Sequence, residues 1–145
     1  MPDQHATLPL AGTMTLDDYA QCKNGYIPQS ETDKWFIYFE DGMLHFHRAI
    51  TGSCIFQLPL TKNGDHVAAE TLIINRDPKQ YRTITETYDL ELVAWLIDHY
   101  LLKRNTPFPH PPRLNQKHSQ AHQQHVTGRT TPQSTFINLN DLLNN

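Results

Sequence analysis

The chain has 145 residues, a formal net charge of −3, nine histidines and two cysteines. That length suits one domain, and the singly scattered Lys and Arg lack the basic stripe with which a general nucleic-acid binder displaces counterions. No apolar run reaches the roughly 20 residues of a bilayer span, no signal peptide is read, and Cys22 and Cys54 lack CxxC spacing. The expectation is therefore a cytoplasmic protein with reduced thiols, no membrane or nucleic-acid partner and no cofactor.

Residues 1–14 show no evident periodicity and are expected to form a flexible N-terminus. Thr15-Leu16-Asp17-Asp18 reads as a helix start, with Thr15 as cap and the acids at the positive end of the dipole. Lys23-Asn24-Gly25 and then Pro28 keep that helix short.

Lys34 to Glu40 (KWFIYFE) has the aromatic and β-branched content of a packed strand. Asp41-Gly42 follows, a two-residue hairpin signal, because a type I′ turn needs positive φ at both positions. This turn sets Glu40 opposite Met43 and Trp35 opposite Arg48. Reading Thr51-Gly52-Ser53 as a three-residue turn sets Ile50 opposite Cys54 and Arg48 opposite Phe56.

With those registers the two faces of the meander separate. Trp35, Ile37, Phe39, Leu44, Phe46, Ile50, Cys54, Phe56, Leu58 and Leu60 form an apolar core face, and Arg48 joins it through a cation–π contact with Trp35. Phe36, Tyr38, Glu40, Met43, His45, His47, Ile55 and Gln57 form a mixed second face.

Asn63-Gly64-Asp65 reads as another turn, and Val67–Asn75 as a fourth strand ended by Arg76-Asp77-Pro78. A helix capped by Thr87 or Asp89 is expected to run to Arg104. Its stripe of Leu90, Val93, Ala94, Ile97 and Leu101 would lie across the core face.

The expected fold is α+β: an antiparallel β-meander of three to four strands packed against a C-terminal α-helix, with a short N-terminal helix, all within residues 15–104. Residues 105–135 are a low-complexity Pro/His/Gln/Thr-rich segment whose composition cannot offset its ordering entropy. Residues 136–145 read as a short amphipathic tail able to dock on the domain or a partner.

Several residue groups invite a chemical reading. His45 and His47, two apart on a strand, project from one face as in strand-borne HxH metal sites. Such a site needs a third ligand, and Glu40 lies at the other end of the hairpin from His47. Packing or hydrogen bonding on a half-covered sheet is therefore the better account, and no metal is assigned. His118, His122 and His125 would align on a helix, but their polar surroundings read as a solvated tail. There is no GxSxG and no glycine-rich phosphate loop. Cys54 points into the core in this register, where a thiol is inert. Asn75-Arg76-Asp77 is either a polar cluster at a strand end or a turn in which Asp77 caps backbone before Pro78. The surface of Tyr38, His45, His47, Arg48, Thr51 and Gln57 mixes rings with hydrogen-bonding groups, the profile of a ligand site.

The run KWFIYFEDGMLHFHRAITGSCIFQLPL, then NRDPKQY, then YDLELVAWLIDHYLL resembles an uncharacterised small α+β domain family sometimes found with ADP-ribosyl-glycohydrolase modules. The resemblance covers residues 34–104 and departs from the family pattern at Ala49-Ile50. It implies a link to ADP-ribose or NAD metabolism and matches His47, Arg48, Thr51, Gly52, Asn75, Arg76 and Asp77. It assigns no catalytic residue.

Three functional readings follow. The first is a small binding or accessory module that recognises a small molecule or a protein through the second sheet face. The second is a small enzyme on a nucleotide or ADP-ribosyl substrate, with His47 as acid/base and Arg48 holding phosphate or carboxylate. The third is a bacterial or phage interaction factor whose amphipathic tail engages a partner.

Overall fold

Asp41 and Gly42 both adopt positive φ, 55° and 76°, and the turn they make organises the sheet. A computed structural model describes residues 1–82, 85–105 and 107–109 of the chain. The low-complexity segment and the amphipathic tail, with His118, His122 and His125, lie outside the described residues, apart from the first few positions of the former.

The chain order is β1 (His5–Thr15), α1 (Leu16–Cys22), β2 (Trp35–Glu40), β3 (Met43–Arg48), β4 (Cys54–Pro59), β5 (Thr61–Asn63), β6 (His66–Asn75), α2 (Glu86–Leu96) and a π-helical turn, Ile97–Leu101. The six strands form one antiparallel sheet in the order β1-β6-β4-β3-β2, with β5 paired to β6. The architecture is α+β, with six strands in place of the three or four expected.

The largest difference is at the N-terminus, where a loosely ordered segment was expected and β1 pairs with β6 from His5↔Asn75 to Thr15↔His66. Leu8, Leu10 and Met14 are buried at alternate positions, the period-2 pattern of a half-buried strand. Pro9 and Gly12 obscure that pattern. Pro9 is tolerable because β1 is an edge strand, and the register shifts between these two residues.

In α1, the Thr15 hydroxyl accepts from Asp18 N–H at 3.1 Å, and Gly25, with φ +67°, turns the chain out of the helix. Tyr26 then pairs with Ile37 at the free edge of β2. The β2–β3 hairpin has the expected register, from Glu40↔Met43 to Trp35↔Arg48.

The β3–β4 pairing differs from expectation. Phe46 sits opposite Phe56, then the register shifts by one residue and His47 faces Cys54, a β-bulge at Ile55. The physical consequence is an exchange of faces. Ile55, expected on the second face, is fully buried in the core cluster, whereas Cys54, expected in the core, is buried outside that cluster. Ile50, also expected in the core, sits in the turn and is 85% exposed.

Helix α2 starts at Glu86 with Thr85 as its cap, two residues before Thr87 and four before Asp89, because the Thr85 hydroxyl accepts from Tyr88 N–H at 3.0 Å. Leu92 and Leu96 are buried together with the expected stripe, so the helix is enclosed on more than one side. Its residues, those of the π turn and the inward residues of the sheet share one core cluster. The helical layer therefore covers one face of the sheet, and the polar aromatic row on β2, β3 and β4 lies on the other.

Candidate functional site

Adjacent antiparallel strands bring opposite residues into rows. One row is Tyr38, His45 and Gln57; the next is Phe36, His47 and, through the bulge, Cys54. The Tyr38 ring stacks on His45 with centroids 4.7 Å apart and 12° between planes, and packs on His47 at 5.3 Å. Phe36 flanks the cluster, 5.4 Å from Tyr38 and 6.4 Å from His47.

The hydrogen bonds determine which ring nitrogens hold protons. A backbone carbonyl only accepts, so His45 Nε2–H donates to the Glu40 carbonyl at 3.1 Å. In the neutral ring Nδ1 then carries the lone pair, which accepts from Gln57 Nε2 at 3.3 Å. His47 is the mirror case. Its Nδ1–H donates to the Gly52 carbonyl at 2.9 Å, which leaves the Nε2 lone pair toward the Tyr38 hydroxyl at 3.3 Å.

Cys54 completes the cluster. Among the described residues, one donor atom from each of His45, His47 and Cys54 lies within 4.8 Å of the others. The Cys54 thiol makes a weak contact of 3.7 Å with the Phe56 carbonyl, and burial pushes its pKa up. Burial likewise raises the Tyr38 phenol, aided by negative charge on Cys54 and on Glu40. His45 and Cys54 are buried, while Tyr38, His47 and Gln57 are half-buried.

Of the residues singled out from sequence, Tyr38, His45, His47 and Gln57 come together on this face. Arg48 does not. Its guanidinium lies 4.6 Å from the centre of the Trp35 ring, and Trp35 stacks on Phe56 in the core. Arg48 instead lines a shallow groove on the helical side with Lys34, Tyr88, Trp95, Tyr100 and Phe108. Thr51 belongs to the β3–β4 turn, where its hydroxyl accepts from Ser53 N–H at 3.2 Å.

Asn75, Arg76 and Asp77 tie elements together. Asn75 is fully buried; its Nδ2 donates to the Cys54 carbonyl at 2.8 Å and to Gln80 Oε1 at 2.7 Å, and its Oδ1 accepts from Asp77 N–H at 2.8 Å. Asp77 Oδ1 accepts from Lys79 N–H at 3.0 Å. Arg76 reaches Asp89 Oδ2 at 3.1 Å, and the Tyr81 hydroxyl donates to Asp89 Oδ1 at 2.6 Å. The NRDPKQY run thus joins the end of β6 to the start of β4 and to α2.

Cys54 is the site residue that sequence reasoning missed. The signal was a six-residue strand next to a glycine-containing turn, where one inserted residue exchanges faces. No family model, curated protein or solved structure matches the chain. No helix of the described residues is long and apolar enough to cross a membrane.

Proposed function

We propose that the protein is a small binding module whose site is the face of the sheet opposite α2, built from Tyr38, His45, His47, Gln57 and Cys54. One observation carries this reading. These polar and aromatic groups hold one another in place on a face that the helical layer does not cover, so they are oriented without being consumed by the core. Rings held rigidly beside a few directed hydrogen-bonding groups are what small-molecule recognition needs. The resemblance over residues 34–104 adds ADP-ribose and related nucleotides to the ligand classes in question.

Thermal unfolding against a panel of ADP-ribose, NAD, nucleotides, small aromatic acids and divalent metal ions tests the reading. A ligand at 100 times its Kd stabilises by about 2.7 kcal/mol, a melting shift on the order of 10 °C for a domain of this size. For an organic ligand that shift is expected to vanish in Tyr38→Ala. No shift with any member of the panel refutes the proposed binding function.

A further inference from the structure

We infer that His45 Nδ1, His47 Nε2 and Cys54 Sγ form a transition-metal site, for zinc(II) or a divalent ion of similar ligand preference. The inference rests on the second sheet face being a binding site and names its ligand.

The donor set is the first support. Two imidazoles and a thiol are borderline-to-soft ligands that suit zinc, and carboxylates, which would favour magnesium or calcium, are absent from the cluster. The second support is ring orientation. Metal-binding histidines hold one nitrogen on a carbonyl or carboxylate and offer the other to the ion. Here the Glu40 and Gly52 carbonyls take His45 Nε2–H and His47 Nδ1–H. The two lone pairs thereby left face weak, replaceable donors, Gln57 Nε2 and the Tyr38 hydroxyl, both at 3.3 Å.

Distance is the third support. Edges of a tetrahedral zinc site with two nitrogens and one sulfur are about 3.3–3.6 Å, from bonds of about 2.0–2.1 and 2.3 Å. One donor atom from each of the three residues already lies within 4.8 Å of the others, so side-chain rotation closes the remaining gap of about an ångström. Backbone rigidity is the fourth. All three residues sit on paired strands, and Asn75 anchors the Cys54 carbonyl at 2.8 Å.

On binding, the thiol proton leaves to solvent, a sulfur–metal bond forms, and the Gln57 and Tyr38 contacts to the ring nitrogens are displaced. Three protein ligands leave a fourth position for water or a further ligand, the arrangement of open rather than purely structural sites.

The test uses the full chain with His118, His122 and His125 each changed to Gln, so that the tail imidazoles do not contribute. Competition with a chromophoric chelator should show one zinc per chain. Cobalt(II) should give a thiolate charge-transfer band with intense visible bands of a four-coordinate ion. Cys54→Ser and His47→Gln should each weaken zinc by more than the 10–100-fold that loss of an outer partner costs. Because a variant could unfold, circular dichroism checks that each variant is folded, and the cobalt(II) spectrum of the parent chain, which carries no change at the site, is the deciding measurement.

Zinc binding that disappears with the three tail histidines, or a cobalt spectrum without a thiolate band, overturns the inference. If zinc fails while an organic member of the panel still raises the melting temperature in a Tyr38-dependent way, the metal site falls and the binding reading stands. If neither binds, both fall.

Discussion

Arg76 and Asp89 form an ion pair at 3.1 Å in which the Asp89 side chain is fully buried and that of Arg76 is 23% exposed. Arg76→Met keeps the length and apolar stem of the side chain but removes the charge facing Asp89. Removing one partner of a buried pair strands the other, at about 3–5 kcal/mol. The Tyr81 hydroxyl, 2.6 Å from Asp89, remains as a donor, which places the expectation near the lower end of that range.

The loss should depend on pH. Burial, the dominant influence, raises the Asp89 pKa against the opposing effects of Tyr81 and Arg76. Without Arg76 it rises further. A raised folded-state pKa means that the native protein binds the proton more tightly than the unfolded chain. Stability from this group is therefore greatest at low pH. It declines as pH climbs from the unfolded value of about 3.9 through the folded one. Urea denaturation followed by tryptophan fluorescence should give a larger Arg76→Met penalty at pH 8 than at pH 5. Arg76→Met/Asp89→Leu should recover much of it, since an apolar replacement of both partners leaves no charge buried. A penalty below about 1 kcal/mol at pH 8, the value of an exposed pair, refutes the assignment of this pair to the core. So does a penalty larger at pH 5.

Gly25→Ala places a methyl carbon 2.4 Å from the Ile37 carbonyl oxygen at a residue with φ +67°. Left-handed backbone alone costs about 1–2 kcal/mol, so a loss exceeding that is expected in the same urea assay. Arg48→Ala should lower stability by about 0.5–2 kcal/mol through the Trp35 contact. It should leave ligand and zinc binding on the opposite face unchanged in thermal shift and chelator competition. Cys22 is completely buried and its thiol is pushed up to about 12, chiefly by burial. Mass spectrometry after iodoacetamide treatment at pH 8 should find it unmodified in native protein and labelled in urea, because the reactive thiolate is scarce and inaccessible.

Local chemistry made much of this protein legible in the sequence. Asp41-Gly42 dictates the β2–β3 register because two successive positive φ angles admit few residue pairs. That register, with the alternation of side chains, already aligned Tyr38 with His45 and Arg48 with Trp35. Tertiary structure decided what no short-range rule contains. A strand containing Pro9 and Gly12 became stable by pairing along β6, whose partner is far away in sequence. Arg76 proved to be a fastener because Asp89 of α2 meets it in space, whereas the Asp77 bond to Lys79 N–H is the local turn cap that the sequence already offered. The bulge at Ile55 settled the candidate site. A single unpaired residue, absorbed where β4 leaves its turn, turned Ile55 into the core and Cys54 toward the histidines. Alternation along a strand is a property of sequence, but the point at which it breaks is set by which side chains the whole core can bury.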